Sequence, residues 1–188
     1  MSNLETYADL YDRDFLNKFG DKSEEIGHIP FDIQHPAIDL SKIADILDVN
    51  IKESDLKVKD GYVKRSDRNI TINENISEGR KRFTIAHELG HYISNGTEDV
   101  FYRGAESYDG SKQAEEREAN SFAAELLMPN KELLTDLMKR ELRNIGANPS
   151  RISKFEIKTV IAKIAQLLQV SSQALEYRYI NLNILRRI

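Results

Sequence analysis

Arg82-Phe83-Thr84-Ile85-Ala86-His87-Glu88-Leu89-Gly90-His91 is the stretch whose reading decides this chain. Phe83, Ile85, Ala86, Leu89, Tyr92 and Ile93 recur at helical spacing, which predicts a helix opened by Ser77 and closed by Asn95-Gly96. Residues four apart on a helix share a face, about 6 Å apart along the axis. His87 and His91 can therefore aim both imidazoles at one metal ion, at roughly 2.0–2.1 Å if that ion is zinc. Glu88 projects about a third of a turn away, within reach of a water that zinc acidifies to a pKa of about 7. It can accept that water's proton during attack on a peptide carbonyl and hand it to the leaving amine. The rival reading, two solvated histidines on a charged helix, accords poorly with the apolar residues around the motif. His28 and His35 lie near Pro30 and Pro36 in a linker and read as surface histidines.

Catalytic zinc usually takes three protein ligands. No third histidine extends the motif as His-x-x-Gly-x-x-His, and the chain contains no cysteine, so the third ligand is expected to be a carboxylate. A helix is predicted over 111–128, with Ala119, Phe122, Ala123, Leu126 and Leu127 inward and Pro129 as its stop. Glu115, Glu116 and Glu118 precede that apolar stripe. Glu116 shares the face of Ala119 and Ala123, and Asn120 four residues on could steady it. Glu118 competes for the role, and a solvated acidic helix start that favours the dipole is the bland account. Periodicity leaves these open.

Working outward, Asp39 reads as the cap of a helix with the stripe Leu40, Ile43, Ala44 and Leu47. Val49-Asn50-Ile51, Leu56-Lys57-Val58 and Tyr62-Val63 then alternate, Asp60-Gly61 reads as a hairpin turn, and Ile70-Thr71-Ile72 as a further strand. The expectation is a small sheet of three to five strands, with Val100-Phe101-Tyr102 as another short strand. Leu4, Tyr7, Ala8, Tyr11, Phe15 and Phe19 predict one amphipathic helix over the first twenty residues, docked on the body or on another chain. Downstream, Asn130 caps a helix to about Arg143, Gly146 and Pro149 break the chain, and two helices follow at roughly 155–168 and 172–182. The expected fold class is α+β: a small mixed sheet packed on the motif helix, then a C-terminal helical bundle of helix-turn-helix type. Three segments follow: 1–35, an N-terminal helix and linker; 36–145, the core; 146–188, the C-terminal helices.

The 188 residues carry a net charge of -4, which does not suggest wholesale binding to nucleic acid or membrane. No apolar run is long enough to span a bilayer, and Met1 to Gly20 lacks the apolar core of a signal peptide, so the expected compartment is the cytoplasm. A recognition helix starting near Ser172 and Gln173 would offer only Arg178 before Arg186 and Arg187. That is thin for phosphate contacts, so direct DNA binding is not expected. Packing by Ile161, Ile164, Ala165, Leu168, Leu175 and Ile180 is the favoured role of those helices.

The motif from Arg82 to His91 resembles the signature of the ImmA/IrrE family of bacterial metallopeptidases. The resemblance continues through Glu116-Arg117-Glu118-Ala119-Asn120-Ser121-Phe122-Ala123-Ala124-Glu125-Leu126-Leu127-Met128-Pro129, and in Ile164-Ala165-Gln166-Leu167-Leu168-Gln169-Val170-Ser171 with Ala174, Leu175 and Arg178. It covers roughly 36–185 and leaves the N-terminal helix outside. The resemblance implies a zincin-like fold of the gluzincin kind, with Glu116 at the family's Glu-x-x-Ala-Asn ligand position. It implies zinc, with manganese as an alternative, held by His87, His91 and Glu116, and Glu88 as the catalytic carboxylate. Its expected partner is a helix-turn-helix repressor, cleaved or inactivated in prophage, mobile-element or stress regulation. The alternative is a regulator-binding or toxin-type module, paired with a helix-turn-helix antitoxin, whose metal site is structural or vestigial.

Overall fold

A computed structural model of the protein describes residues 5–94, 100–102 and 110–185. Four strands form one mixed sheet: β1 (Asn50–Ser54), β2 (Gly61–Lys64), β3 (Asn69–Asn73) and β4 (Val100–Tyr102), in the order β1-β3-β2-β4. β1 runs parallel to β3, whereas β2 pairs antiparallel with both β3 and β4. The fold is thus α+β with a small sheet, as the alternating segments suggested.

The turn that joins paired strands is not at Asp60-Gly61. β2 returns as β3 through Arg65–Asp67 and Arg68, which adopts a left-handed φ of 48°. Leu56-Lys57-Val58 is no strand, and Val58 is 93% exposed. The Asn73 side chain donates to the carbonyls of Leu56 (2.7 Å) and Lys59 (2.9 Å), groups that a strand would use in its ladder. Gly61 serves close packing instead: a Cβ there would lie 2.6 Å from Thr84 Cγ2 of the motif helix. With no side chain, β2 can press against that helix.

The N-terminal residues form a bent string of short helices rather than one: α1 (Tyr7–Leu10), α2 (Arg13–Asn17) and α3 (Ser23–Gly27). Tyr11 is extended, Asp12 starts a new helix by accepting from Phe15 N (2.8 Å), and Gly20 has φ 61°. The residues read as linker therefore include α3, whose Ile26 is fully buried. Tyr7, Tyr11, Phe15 and Phe19 still face inward, on the body of the same chain, whereas Ala8 is exposed and Leu4 lies outside the described residues. Phe15 stacks on Phe122 at 5.2 Å, Tyr11 Oη donates to Leu126 O (2.6 Å), and Asp39 N donates to Tyr7 Oη (2.7 Å).

α4 (Leu40–Ile46) begins at Asp39, whose carboxylate accepts from Lys42 N, and it buries Leu40, Ile43 and Ala44 as its stripe predicts. The motif helix, α5 (Glu78–Ile93), follows Ser77 and ends at Ser94; the expected stop at Asn95-Gly96 lies outside the described residues. Next come α6 (Gly110–Leu127), α7 (Lys131–Asn144), α8 (Lys154–Leu168) and α9 (Ser172–Asn181). Asn130 caps α7, Ser153 and Glu156 form a capping box on α8, and Ser171 caps α9. One apolar cluster extends from Tyr7 through Leu89 and Leu126 to Tyr179. α9 faces into it through Leu175 and Tyr179, and Arg178 donates to the carbonyls of Met128 (2.9 Å) and Pro129 (2.6 Å). Among the described residues, no helix is long and apolar enough to cross a membrane.

Candidate metal centre

The motif helix lies between the sheet and α6. Its inner face buries Thr84, His87, Glu88 and His91. Burying four polar side chains is costly unless they find partners or a ligand. Fractional exposure is 0% for His87, 1% for Glu88 and 2% for His91. The expectation of buried rather than solvated histidines at this motif agrees with that geometry, while His28 and His35 are exposed, His35 beside Asp32 at 2.7 Å.

Gly90 sets the approach of α6. A Cβ on Gly90 would lie 3.0 Å from Phe122 Cδ1 and 3.3 Å from Ala119 Cα. The first atom is held by the stack on Phe15, and the second is backbone. Gly90→Ala therefore gains about 1 kcal/mol of helix propensity but incurs an overpacking cost of about 1–3 kcal/mol. Overpacking wins because neither neighbour can give way. The expected result is a net loss of about 1 kcal/mol, a melting temperature lower by about 2–4 °C. A variant melting at or above the wild-type temperature would contradict this account of the glycine.

That close contact brings the start of α6 over the two histidines. His87 Nε2 and His91 Nε2 lie 3.0 Å apart. Glu116 Oε2 is 3.5 Å from His87 Nε2, and Glu116 Oε1 is 3.2 Å from His91 Nε2. His87, His91 and Glu116 are the group of possible metal ligands among the described residues, their donor atoms all within 4.8 Å of one another. Glu88, one residue on from His87, is buried on the same helix. Glu118, the competing carboxylate, is exposed and does not join the cluster, nor does Glu115.

The donor set fits a divalent ion. Asn120 Oδ1 lies 3.1 Å from His87 Nδ1. An amide oxygen can only accept, so Nδ1 carries the proton and Nε2 presents its lone pair to the cluster. Two ligands of a tetrahedral zinc ion at 2.0–2.1 Å stand ~3.3 Å apart, close to the observed nitrogen separation. Asn120 thus orients His87 from the neighbouring helix. Its position four residues after Glu116 gave the right face, but the partner sits on another helix, which spacing within one helix cannot reveal.

Arg65 is a second contributor that the motif does not signal. From the turn after β2 its guanidinium donates to the carbonyl of His91, to Ser94 O (3.0 Å) and to Ser94 Oγ (2.8 Å). A cation at the C-terminal carbonyls of a helix is favourable electrostatically and fixes the turn that carries His91.

Residues 44–179 match the IrrE N-terminal-like domain family of M78 peptidases. Among curated relatives, the radiation response metalloprotease IrrE of Deinococcus deserti is 37% identical over 84 residues, which are 44% of this chain and 30% of that protein. The protein of the same name from Deinococcus radiodurans is 32% identical over 102 residues, 53% of this chain and 31% of the relative. The matched regions therefore span about a third of those relatives' length.

Proposed function

The chain belongs to the IrrE N-terminal-like family of M78 peptidases, and from that premise we propose that it is a zinc-dependent endopeptidase acting on a helix-turn-helix transcriptional repressor. The observation that carries the reading is the buried His87–His91–Glu116 cluster with Glu88 beside it on the same helix. His87, His91 and Glu116 would hold the ion. When bound, it supplies Lewis-acid chemistry that polarises a carbonyl and makes water a better nucleophile at neutral pH. Glu88 accepts the proton of the attacking water and returns it to the leaving amine. Asn120 keeps His87 in the tautomer that offers Nε2, and Arg65 holds the turn bearing His91.

A purely structural ion would not need a carboxylate buried next to its ligands, which favours the enzyme over the regulator-binding module. The inward use of Arg178 weakens a DNA-reading role for α9, because burial lowers its pKa from the ordinary value and its donors serve backbone carbonyls. Zinc is the favoured ion for a buried histidine–carboxylate set, with manganese as the competitor.

The test is incubation of the zinc-loaded protein with purified helix-turn-helix regulators from its own organism, followed by mass spectrometry. Two complementary fragments are expected; a regulator that stays intact while binding the protein would point to sequestration instead. Asn120→Ala is expected to weaken zinc binding about 10–100-fold, the usual effect of removing a partner that orients a metal-bound histidine. Zinc titration checks this, and unchanged affinity would remove Asn120 from the site.

A further inference from the structure

The N-terminal segment lies outside the family match at 44–179, yet it is built into the packing behind the metal centre. It closes on itself: Phe31 N donates to Glu5 O (2.8 Å) and Tyr7 N to Ile29 O (2.9 Å). From that base three rings run toward α6. Tyr11 and Phe15 stack at 4.7 Å, Phe15 stacks on Phe122 at 5.2 Å, and Phe19 meets Phe122 edge-on at 5.6 Å. Two hydrogen bonds accompany the rings, from Tyr11 Oη to Leu126 O (2.6 Å) and from Asn130 Nδ2 to Leu10 O (2.8 Å). Phe15, Phe19 and Phe122 are all buried.

We propose that Phe15 and Phe19 are positioning residues for the metal centre: by backing Phe122 they fix α6, and with it the placement of Glu116 and Asn120 against the motif helix. Closer approach of the two helices is blocked at Gly90, the neighbour of His91, where a Cβ would already lie 3.0 Å from Phe122 Cδ1 and 3.3 Å from Ala119 Cα. Retreat and tilt of α6 are opposed by Phe15, flat against the Phe122 ring, and by Phe19, edge-on to it. Glu116 lies six residues before Phe122 on the same helix, about 9 Å along its axis, so a shift of the ring reaches the carboxylate through rigid backbone. Metal sites need their ligands held within about 0.5 Å, less than the space a deleted aromatic ring would open. This role rests on the metal reading of the His87–His91–Glu116 cluster and not on peptide cleavage. It extends the determinants of zinc affinity beyond the residues that the family match covers. A segment that only completed the core would change stability and leave the folded protein's affinity for zinc alone.

The experiment is zinc titration of the full chain against a competing chelating indicator. It is run where circular dichroism shows every metal-free variant folded, so affinity is read apart from folding. Phe15→Ala is expected to weaken zinc about 10-fold, the lower end of the effect of removing support from a metal ligand. Phe15→Leu refills part of the volume and is expected to weaken it less; it carries the comparison if the alanine variant does not fold. In a chain that also has Glu116→Ala and Asn120→Ala, α6 has nothing left to offer the ion. There the same substitution at Phe15 is expected to change affinity by less than about 2-fold. Unchanged affinity in the otherwise wild-type chain, or an equal loss in both backgrounds, would overturn the proposal. Wild-type protein without tight zinc would remove the metal reading and the positioning role together. A 10-fold loss confined to the intact site, in a protein that cleaves no regulator, would sink the peptidase reading and uphold this one.

Discussion

On the proposed peptidase reading, Glu88→Gln is expected to lower the rate of peptide cleavage by about 10²–10⁴-fold, the usual contribution of a positioned general base. The substitution is nearly isosteric, and Glu88 sits at 1% exposure in a packed helix face. Shape is therefore preserved while the capacity to accept a proton is lost. Zinc stoichiometry and melting temperature are expected to stay at wild-type values, since Glu88 is not part of the three-residue cluster. Single-turnover cleavage with equal zinc loading is the measurement. Full activity in the variant would remove Glu88 from the chemistry, and loss of zinc would make it a ligand.

Glu116→Ala is expected to weaken zinc by more than about 100-fold, beyond the 10–100-fold that a supporting hydrogen-bond partner contributes. Both carboxylate oxygens face the histidines, at 3.5 Å and 3.2 Å, so alanine leaves two imidazoles to hold the ion alone. Glu118→Ala, on the exposed side of the same helix, is expected to leave zinc affinity unchanged. Metal content after identical metal-free purification and zinc titration separates the two. Tight zinc in Glu116→Ala would move the third ligand elsewhere.

The apolar periodicity around His87 and around Ala119 predicted both helices within a residue or two, and Asp39 and Asn130 mark the helix starts they cap. Those signals are local: each depends on residues within one or two turns. The hairpin at Asp60-Gly61 failed because a glycine before a strand has two uses. Here it is the close approach of Thr84, not a turn, that excludes a side chain. The single N-terminal helix failed because extended Tyr11 and Gly20 break the backbone while the apolar stripe continues.

The sequence by itself determined the motif helix, the burial of its histidines and the family to which the chain belongs, and it carried the expectation of a carboxylate beside them. Periodicity left Glu116 and Glu118 open, and the family resemblance implied Glu116. The tertiary structure sets Glu116 beside both histidines and leaves Glu118 exposed, gives Asn120 to His87, brings Arg65 to the end of the helix and packs the N-terminal segment on Phe122. The physical reason is that helical spacing fixes which side chains share a face, whereas a metal centre depends on how two faces meet. That meeting is set by the glycine contact between α5 and α6 and by the aromatic packing around Phe122, both made by residues far apart in the chain.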